Sequence, residues 1–488
     1  MRLNAIMFFG LIGAFFVTLG APLDCRAGTL SIASTVLSLH PDNPHYFLWR
    51  GRPTVLVTSG EHYGAVLNLD FDYTRYLNEL QANDLNLTRT FSGVYREVGS
   101  NFGITENTLA PKPGRYVCPW ARGNTKGYHE GGNKFDLGHW DERYFARLRD
   151  FISQAARHGV VVEMNLFCPM YKDAMWDASP MHANNNVNEI GSCARTEVYT
   201  LKHPRLLAVQ LAVTRKIVRE LNKWDNVYFE VCNEPYFGGV TMEWQHRIVD
   251  EIVRVEAALP NKHLISMNIA NGRKKVEHPH AAVSILNFHY CYPPDVVGMN
   301  YGLGKVIGEN ETGFRGRQDV LYRTEGWDFL MAGGGLYNNL DYSFTASHPD
   351  GSSLDYKSPG GGSPTLRRQL GILKRFIESF DFAHMQPNAR VVTRAPAGMS
   401  VHALVQPKRA VAVYIHWPIP RKLKSAFAGA PATAELALAL PRGQYRAEWV
   451  NTTTGAVEAH ASFEHAGGAK RLESPRFAAD IALRVRRQ

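Results

Sequence analysis

Val227-Tyr228-Phe229-Glu230-Val231-Cys232-Asn233-Glu234-Pro235 is the stretch from which the fold is read. Apolar β-formers dominate its first six residues, as in a strand covered on both faces, and Asn-Glu-Pro then ends it. Helix-period segments flank it, residues 205–223 before and 243–258 after. The same alternation repeats along the chain. Strands are expected at residues 54–58, 85–91, 160–167, 227–232, 264–269, 283–289, 305–310 and 336–343, eight in all. Runs such as Val160-Val161-Val162 are apolar on successive positions, the mark of parallel strands. Eight βα repeats over residues 53–387 predict a (β/α)8 barrel, with a doubly wound open sheet as the alternative.

Outside the barrel the pattern changes. Residues 28–52 hold Tyr46-Phe47-Leu48-Trp49 before a turn, which reads as a β-hairpin capping the bottom of the barrel. Residues 390–488 alternate apolar and polar positions at 401–405, 410–416, 434–439, 445–450 and 481–485, with turn signals between them. That predicts a smaller antiparallel β-sandwich domain.

The 488 residues, 45% apolar and 20% charged with 42 Gly and 26 Pro, exclude disorder, collagen and coiled coil for the whole chain. Residues 1–27 read as a secretory signal: Arg2, an apolar run over 5–19, and Cys25-Arg26-Ala27 at the cleavage site. Beyond it no apolar run approaches the roughly 20 residues of a membrane helix, so no integral span is expected after cleavage. The expected location is secreted or periplasmic. Five cysteines remain, and Cys168 and Cys193 bracket a loop where they could pair.

The net charge of +9 sits in the last hundred residues: residues 390–488 hold 15 Lys+Arg against 6 Asp+Glu. An Arg-biased surface and contact with an anionic polymer or envelope surface are the two readings of it. Nucleic acid finds no supporting motif. Gly302-Leu303-Gly304 lacks dinucleotide-fingerprint spacing, and no zinc spacing occurs, so no cofactor and no metal are expected.

A barrel works at the C-terminal ends of its strands. Those ends carry Glu61 and His62 (strand one), Arg89 (two), Asn165 (three), Asn233 and Glu234 (four), His289 and Tyr290 (six), Glu309 and Glu311 (seven) and Asp341 (eight). Tyr63, Trp120, Trp176, Tyr236, Phe237 and Tyr292 crowd the loops. Carboxylates on the floor and aromatic walls suit a sugar, whose hydroxyls need polar partners and whose CH face packs on flat apolar surfaces. Glu234 and Glu311 face each other across the mouth. Glycosidic cleavage needs one carboxylic acid to protonate the departing oxygen and a second carboxylate to attack, a pair roughly 5–5.5 Å apart on the retaining route. Glu309, two residues from Glu311 and expected on the same face, competes for the second role. Glu325 reads as a buried helix-to-barrel contact, and Glu230 as paired with a basic residue.

With these residues in place, the 227–235 stretch resembles the strand-four signature of clan A glycoside hydrolases, particularly family 5, over roughly residues 44–385. Residues 305–313 resemble the strand carrying the nucleophile, and Arg89 and His289-Tyr290 match polar positions of those enzymes. The resemblance implies that Glu234 is the acid/base and Glu311 the nucleophile, that Asn233 holds the sugar 2-hydroxyl, and that Arg89 and Tyr290 orient the nucleophile. It also implies a polysaccharide or oligosaccharide substrate. The sandwich is similar to C-terminal modules that accompany such barrels, some of them called collagen-binding domains. Three departures stand out: Asn165 where many members carry His, Asp341-Tyr342 where many place Trp, and two glutamates on strand seven. The expectation is an exported retaining β-glycoside hydrolase. A non-catalytic glycan-binding surface protein on the same barrel is the alternative.

Overall fold

The computed structural model describes residues 36–60, 63–99, 101–423, 427 and 429–488. The expected signal over 1–27 and the candidates Glu61 and His62 lie outside these residues. All described residues fall in one compact unit.

Three short antiparallel strands, β1 (Ser38–Leu39), β2 (Phe47–Trp49) and β3 (Arg52–Thr54), form a small sheet at the start. Its Phe47 and Trp49, with Leu37, pack on Leu56, Leu87, Val161, Tyr228, Ile285, Val306 and Leu336. These sit at or next to the first residues of seven barrel strands, so the little sheet plugs the N-terminal end with apolar surface.

The barrel strands are β4 (Leu56–Gly60), β5 (Leu87–Phe91), β8 (Val161–Phe167), β9 (Val227–Cys232), β10 (Ile265–Asn271), β11 (Ile285–His289), β12 (Val306–Glu311) and β13 (Leu336–Leu340). They pair in the order β4-β13-β12-β11-β10-β9-β8-β5, each neighbouring pair parallel. Between β4 and β5 no strand ladder forms. Asn86 spans that seam instead: its side chain accepts from the Val57 N–H (2.9 Å) and donates to the Val55 carbonyl (2.8 Å). The barrel is therefore nearly closed. The sequence-expected strands all occur, 227–232 with the expected bounds and the others shifted by at most three residues at one or both ends.

Helices cover the outside: α1 (Tyr73–Ala82), α2 (Glu142–Arg157), α4 (Pro204–Leu221), α5 (Met242–Ala257), α7 (Asp319–Met331) and α8 (Pro364–Glu378), with the short α3 (Asp173–Asp177) and α6 (Asp295–Asn300) in loops. In α2 the buried residues Tyr144, Phe145, Leu148, Phe151, Ile152 and Ala155 recur at helical spacing and turn one face to the sheet. Asp72, Asp141, Thr241 and Ser363 cap their helices through side-chain oxygens. The connection after β5 is long and carries a hairpin, β6 (Trp120–Lys126) and β7 (Asn133–Trp140), that the sequence pattern does not announce.

The sandwich has a six-stranded and a three-stranded antiparallel sheet. The first contains β14 (Gln386–Pro387), β16 (Ser400–Gln406), β17 (Ala410–His416), β19 (Gly443–Val450), β20 (Val457–His465) and β22 (Asp480–Arg487). The second contains β15 (Val392–Arg394), β18 (Glu435–Leu440) and β21 (Gly468–Glu473). Val413, Ile415, Leu436, Leu438, Trp449 and Leu483 fill the space between them. On the larger sheet's other face Tyr414 stacks on Trp327 of α7 at 5.1 Å between ring centroids. Beside it Arg323 pairs with Asp480 (2.6 Å), and Asp328 with His416 (3.0 Å) and His402 (3.3 Å). The sandwich is joined to the barrel by buried apolar surface and buried ion pairs together. The five described cysteines are free, so Cys168 and Cys193 do not pair. No helix among the described residues is long and apolar enough to cross a membrane.

Candidate active site

Glu234 follows β9 and Glu311 ends β12, both almost covered at 8% and 6% exposed. His289, the last residue of β11, stands between them, its Nδ1 3.3 Å from Glu234 Oε1 and 3.6 Å from Glu311 Oε2. One oxygen of each carboxyl and one His289 nitrogen lie within 4.8 Å of one another. Over the pair opens a pocket of about 290 Å³.

Glu311 is held from three sides. Tyr63 and Arg89 donate to Oε2, Arg89 Nη1 at 3.2 Å, and Tyr290 donates to Oε1. Burial acts to raise its pKa, but the charges of His289 and Arg89 and the two tyrosine hydrogen bonds outweigh it and bring Glu311 down to about 2. It is ionised at any ordinary pH. Burial acts to lower His289, yet the charge of Glu311 and the hydrogen bond to Glu234 leave its pKa raised.

Glu234 accepts from the Tyr171 hydroxyl at 2.6 Å and the Tyr236 hydroxyl at 3.3 Å. Asn233 lines the same pocket, donating to Tyr171 (3.0 Å) and accepting from Arg89 Nη2 (3.0 Å). Tyr63, Glu234 and Tyr290 all have positive φ (71°, 37° and 56°), a region that costs a non-glycine residue about 1–3 kcal/mol. Three such residues in direct contact with the carboxyl pair, or part of it, mark the backbone here as shaped for the site rather than for the barrel.

Beneath the pair the barrel interior is polar. Arg89 spends its guanidinium on Glu163 (2.5 Å) and Glu230 (2.7 Å) as well as on Glu311. Asn287 and Asn310 donate to Glu230 at 2.8 and 2.7 Å. Burial and the charge of Glu163 raise Glu230 to about 7. Arg89 thus supports the strand-seven carboxylate and neutralises buried acid below it.

Glu309 is not on the face of Glu311. The β11–β12 register shifts there, Phe288 pairing with Glu309 and His289 with Glu311, so Asn310 is the extra residue. Asn310 reaches inward to Glu163 and Glu230, whereas Glu309 accepts from the Cys291 N–H at 2.6 Å. Burial and the neighbouring charge of Glu325 push Glu309 well above the usual carboxylate range. Glu325 itself is buried on α7, bonded to Thr312 and Arg315. Asn165 does not reach the pocket; it donates to Glu230 (3.0 Å) inside the barrel. Asp341 turns outward instead, tied to Arg367 of α8 (2.8 Å) and Ser59 (2.8 Å), and its neighbour Tyr342 is the lining residue. Trp120, Trp176 and Tyr292 do not line the pocket, whereas Tyr63 and Phe237 do. Tyr171 and Glu97 line it too, and sequence reading passed over both because each lies on a long loop whose path no pattern reveals.

The Glu234–His289–Glu311 group has the spacing of a metal site, but its chemistry fits one poorly. Both Glu311 oxygens already accept hydrogen bonds, and a divalent cation would stand beside the Arg89 guanidinium.

Comparison of the sequence with family models and with curated proteins finds no match. Solved structures do match. A family 5 glycoside hydrolase from Bacteroides vulgatus superposes with a TM-score of 0.62 at 12% identity, over 93% of this chain and 94% of that one. Another glycoside hydrolase gives 0.60 at 14%, over 93% and 97%. The chain shares their fold. That glycoside hydrolase fold extends through the sandwich as well as the barrel, given the share of both chains covered.

Proposed function

We propose that the protein is an exported retaining β-glycoside hydrolase acting on a polysaccharide or oligosaccharide. The observation that carries this reading is the carboxyl pair: Glu234 and Glu311, on opposed strand ends, with an oxygen of each within 4.8 Å across a shared pocket. That separation suits direct attack, since an inverting pair stands roughly 6.5–9.5 Å apart to admit water. The ionised Glu311 carboxylate attacks the anomeric carbon while Glu234 gives its proton to the departing glycosidic oxygen. A glycosyl ester on Glu311 results, and the alcohol leaves. Glu234, now a carboxylate, takes a proton from water as the water oxygen attacks the anomeric carbon. The ester breaks, the sugar leaves with its configuration retained, and both carboxyls return to their first state. Tyr63, Tyr290 and Arg89 keep Glu311 charged and aimed, and Tyr171 fixes Glu234. The apolar run near the N-terminus supports export, to the periplasm or beyond.

The test is chemical. Glu234→Gln is expected to slow substrates with poor leaving groups far more than activated aryl glycosides, because only the former need the proton. Equal loss on both would remove the acid role. Glu311→Ala is expected to lose activity and to regain part of it with azide, which replaces the nucleophile and yields a glycosyl azide of inverted configuration. Without rescue, the nucleophile lies elsewhere.

A further inference from the structure

The pocket holds a third carboxyl that the double displacement does not use. Glu97, in the loop after β5, lines the pocket with Glu234 and Glu311 and is 3% exposed. The same pocket is lined by the apolar Phe91, Ile104, Leu109 and Leu340. The loop is fixed on both sides of the acid. Glu97 N–H donates to the Leu109 carbonyl at 2.8 Å. Gly64 abuts the same loop so closely that an added Cβ would lie 2.3 Å from the Thr108 carbonyl oxygen, which couples the loop to the turn bearing Tyr63. Oε1 accepts from Tyr95 (3.1 Å) and Oε2 from Asn107, and the Asn101 side chain also supports the carboxylate. A carboxylate has about four acceptor sites, so capacity remains.

We propose that Glu97 is a substrate-recognition residue, whose carboxyl accepts hydrogen bonds from hydroxyls of the sugar ring seated against Glu311 and thereby selects the sugar. The inference rests on the glycosidase reading of the same pocket. A buried acid is costly unless a ligand or the protein compensates it. Burial raises Glu97 to about 7 despite hydrogen bonds from Asn107, Asn101 and Tyr95, so those contacts alone leave it under-compensated. A neutral amide could pin the loop as well; a hydroxyl-rich ligand explains an acid.

The experiment compares nitrophenyl β-glycosides of glucose, mannose, galactose and xylose, and singly deoxygenated analogues of whichever is turned over, on wild type, Glu97→Ala and Glu97→Gln. Binding of the free monosaccharides by calorimetry is the second readout, and thermal melts confirm folding. Losing a hydrogen bond to a charged group is expected to raise KM about tenfold or more in Glu97→Ala, with kcat changing less. One deoxy analogue should be penalised in wild type and no longer in Glu97→Ala, the signature of a direct contact. Turnover with KM and deoxy penalties unchanged in both variants would overturn the Glu97 role and leave the glycosidase reading standing. Loss of kcat alone would reduce Glu97 to a loop support. If wild type neither turns over the glycosides nor binds the sugars, both readings fall.

Discussion

Tyr63 and Tyr171 each place one hydroxyl on one carboxyl of the pair, and they separate the two roles cleanly. Tyr63→Phe removes a hydrogen bond from Glu311 and leaves the ring stacked on Phe91, 4.6 Å between centroids. Its kcat/KM is expected to fall roughly ten- to a hundredfold, about 1.5–3 kcal/mol for one bond to a charged group, on every glycoside tested. Tyr171→Phe acts on Glu234 instead, so its loss should grow as the leaving group worsens. A flat loss across leaving groups would contradict that assignment. Glu234 and Glu311 were legible in the sequence because a strand end followed by a turn fixes where a side chain points. Glu309 was misplaced because strand alternation puts i and i+2 on one face, and an extra residue at Asn310 breaks that rule. Tyr171 and Glu97 carry no periodic signal; Asn165 sits at a strand end yet one layer too deep, and Asp341 turns outward to Arg367 of α8.

Among the elements, the eight barrel strands were readable because a strand buried on both faces is a block of apolar residues. The sandwich strands β20 and β21 were not: their residues are mostly exposed, and only Leu472 among them is buried, so no apolar run marks them. The hairpin of β6 and β7, rich in Gly, Asn and Lys, hid for the same reason. The contact of α7 with β17 and β22 could not be read at all, since ion pairs between distant segments leave no local mark. Asp480, buried and held down by Arg323, tests that contact. Asp480→Ala strands a buried guanidinium and should destabilise the protein by about 3–5 kcal/mol in chemical denaturation, with barrel and sandwich still melting together. A loss under about 1 kcal/mol would mean that the seam is held by its apolar contacts.

At the scale of the molecule, the basic excess of the last hundred residues is partly structural. Arg484 and Arg486 bond Ser379, and Arg486 also lies over Phe380, so these charges face the barrel rather than a partner. The buried acids set the response to pH. Glu97 and Glu230, both raised to about 7, contribute stability that is fully present below the ordinary value of 4.5 and is lost as pH rises through 7. The raised His289 and His416 act in the same direction. Glu311 and Glu251, brought down to about 2, contribute stability present above 4.5 and lost as pH falls through 2. The melting temperature is therefore expected to be higher at pH 5 than at pH 8, and the difference to shrink in Glu97→Gln. A protein equally or more stable at pH 8 would contradict the buried-acid account. The central claim, that Glu234 and Glu311 cleave glycosides by double displacement, is tested most directly by the anomer released first. Proton NMR of wild-type turnover on a β-glycoside should show the β-sugar before mutarotation, with no release by Glu311→Ala in the absence of azide. An α-sugar appearing first, or undiminished release by Glu311→Ala, would contradict it.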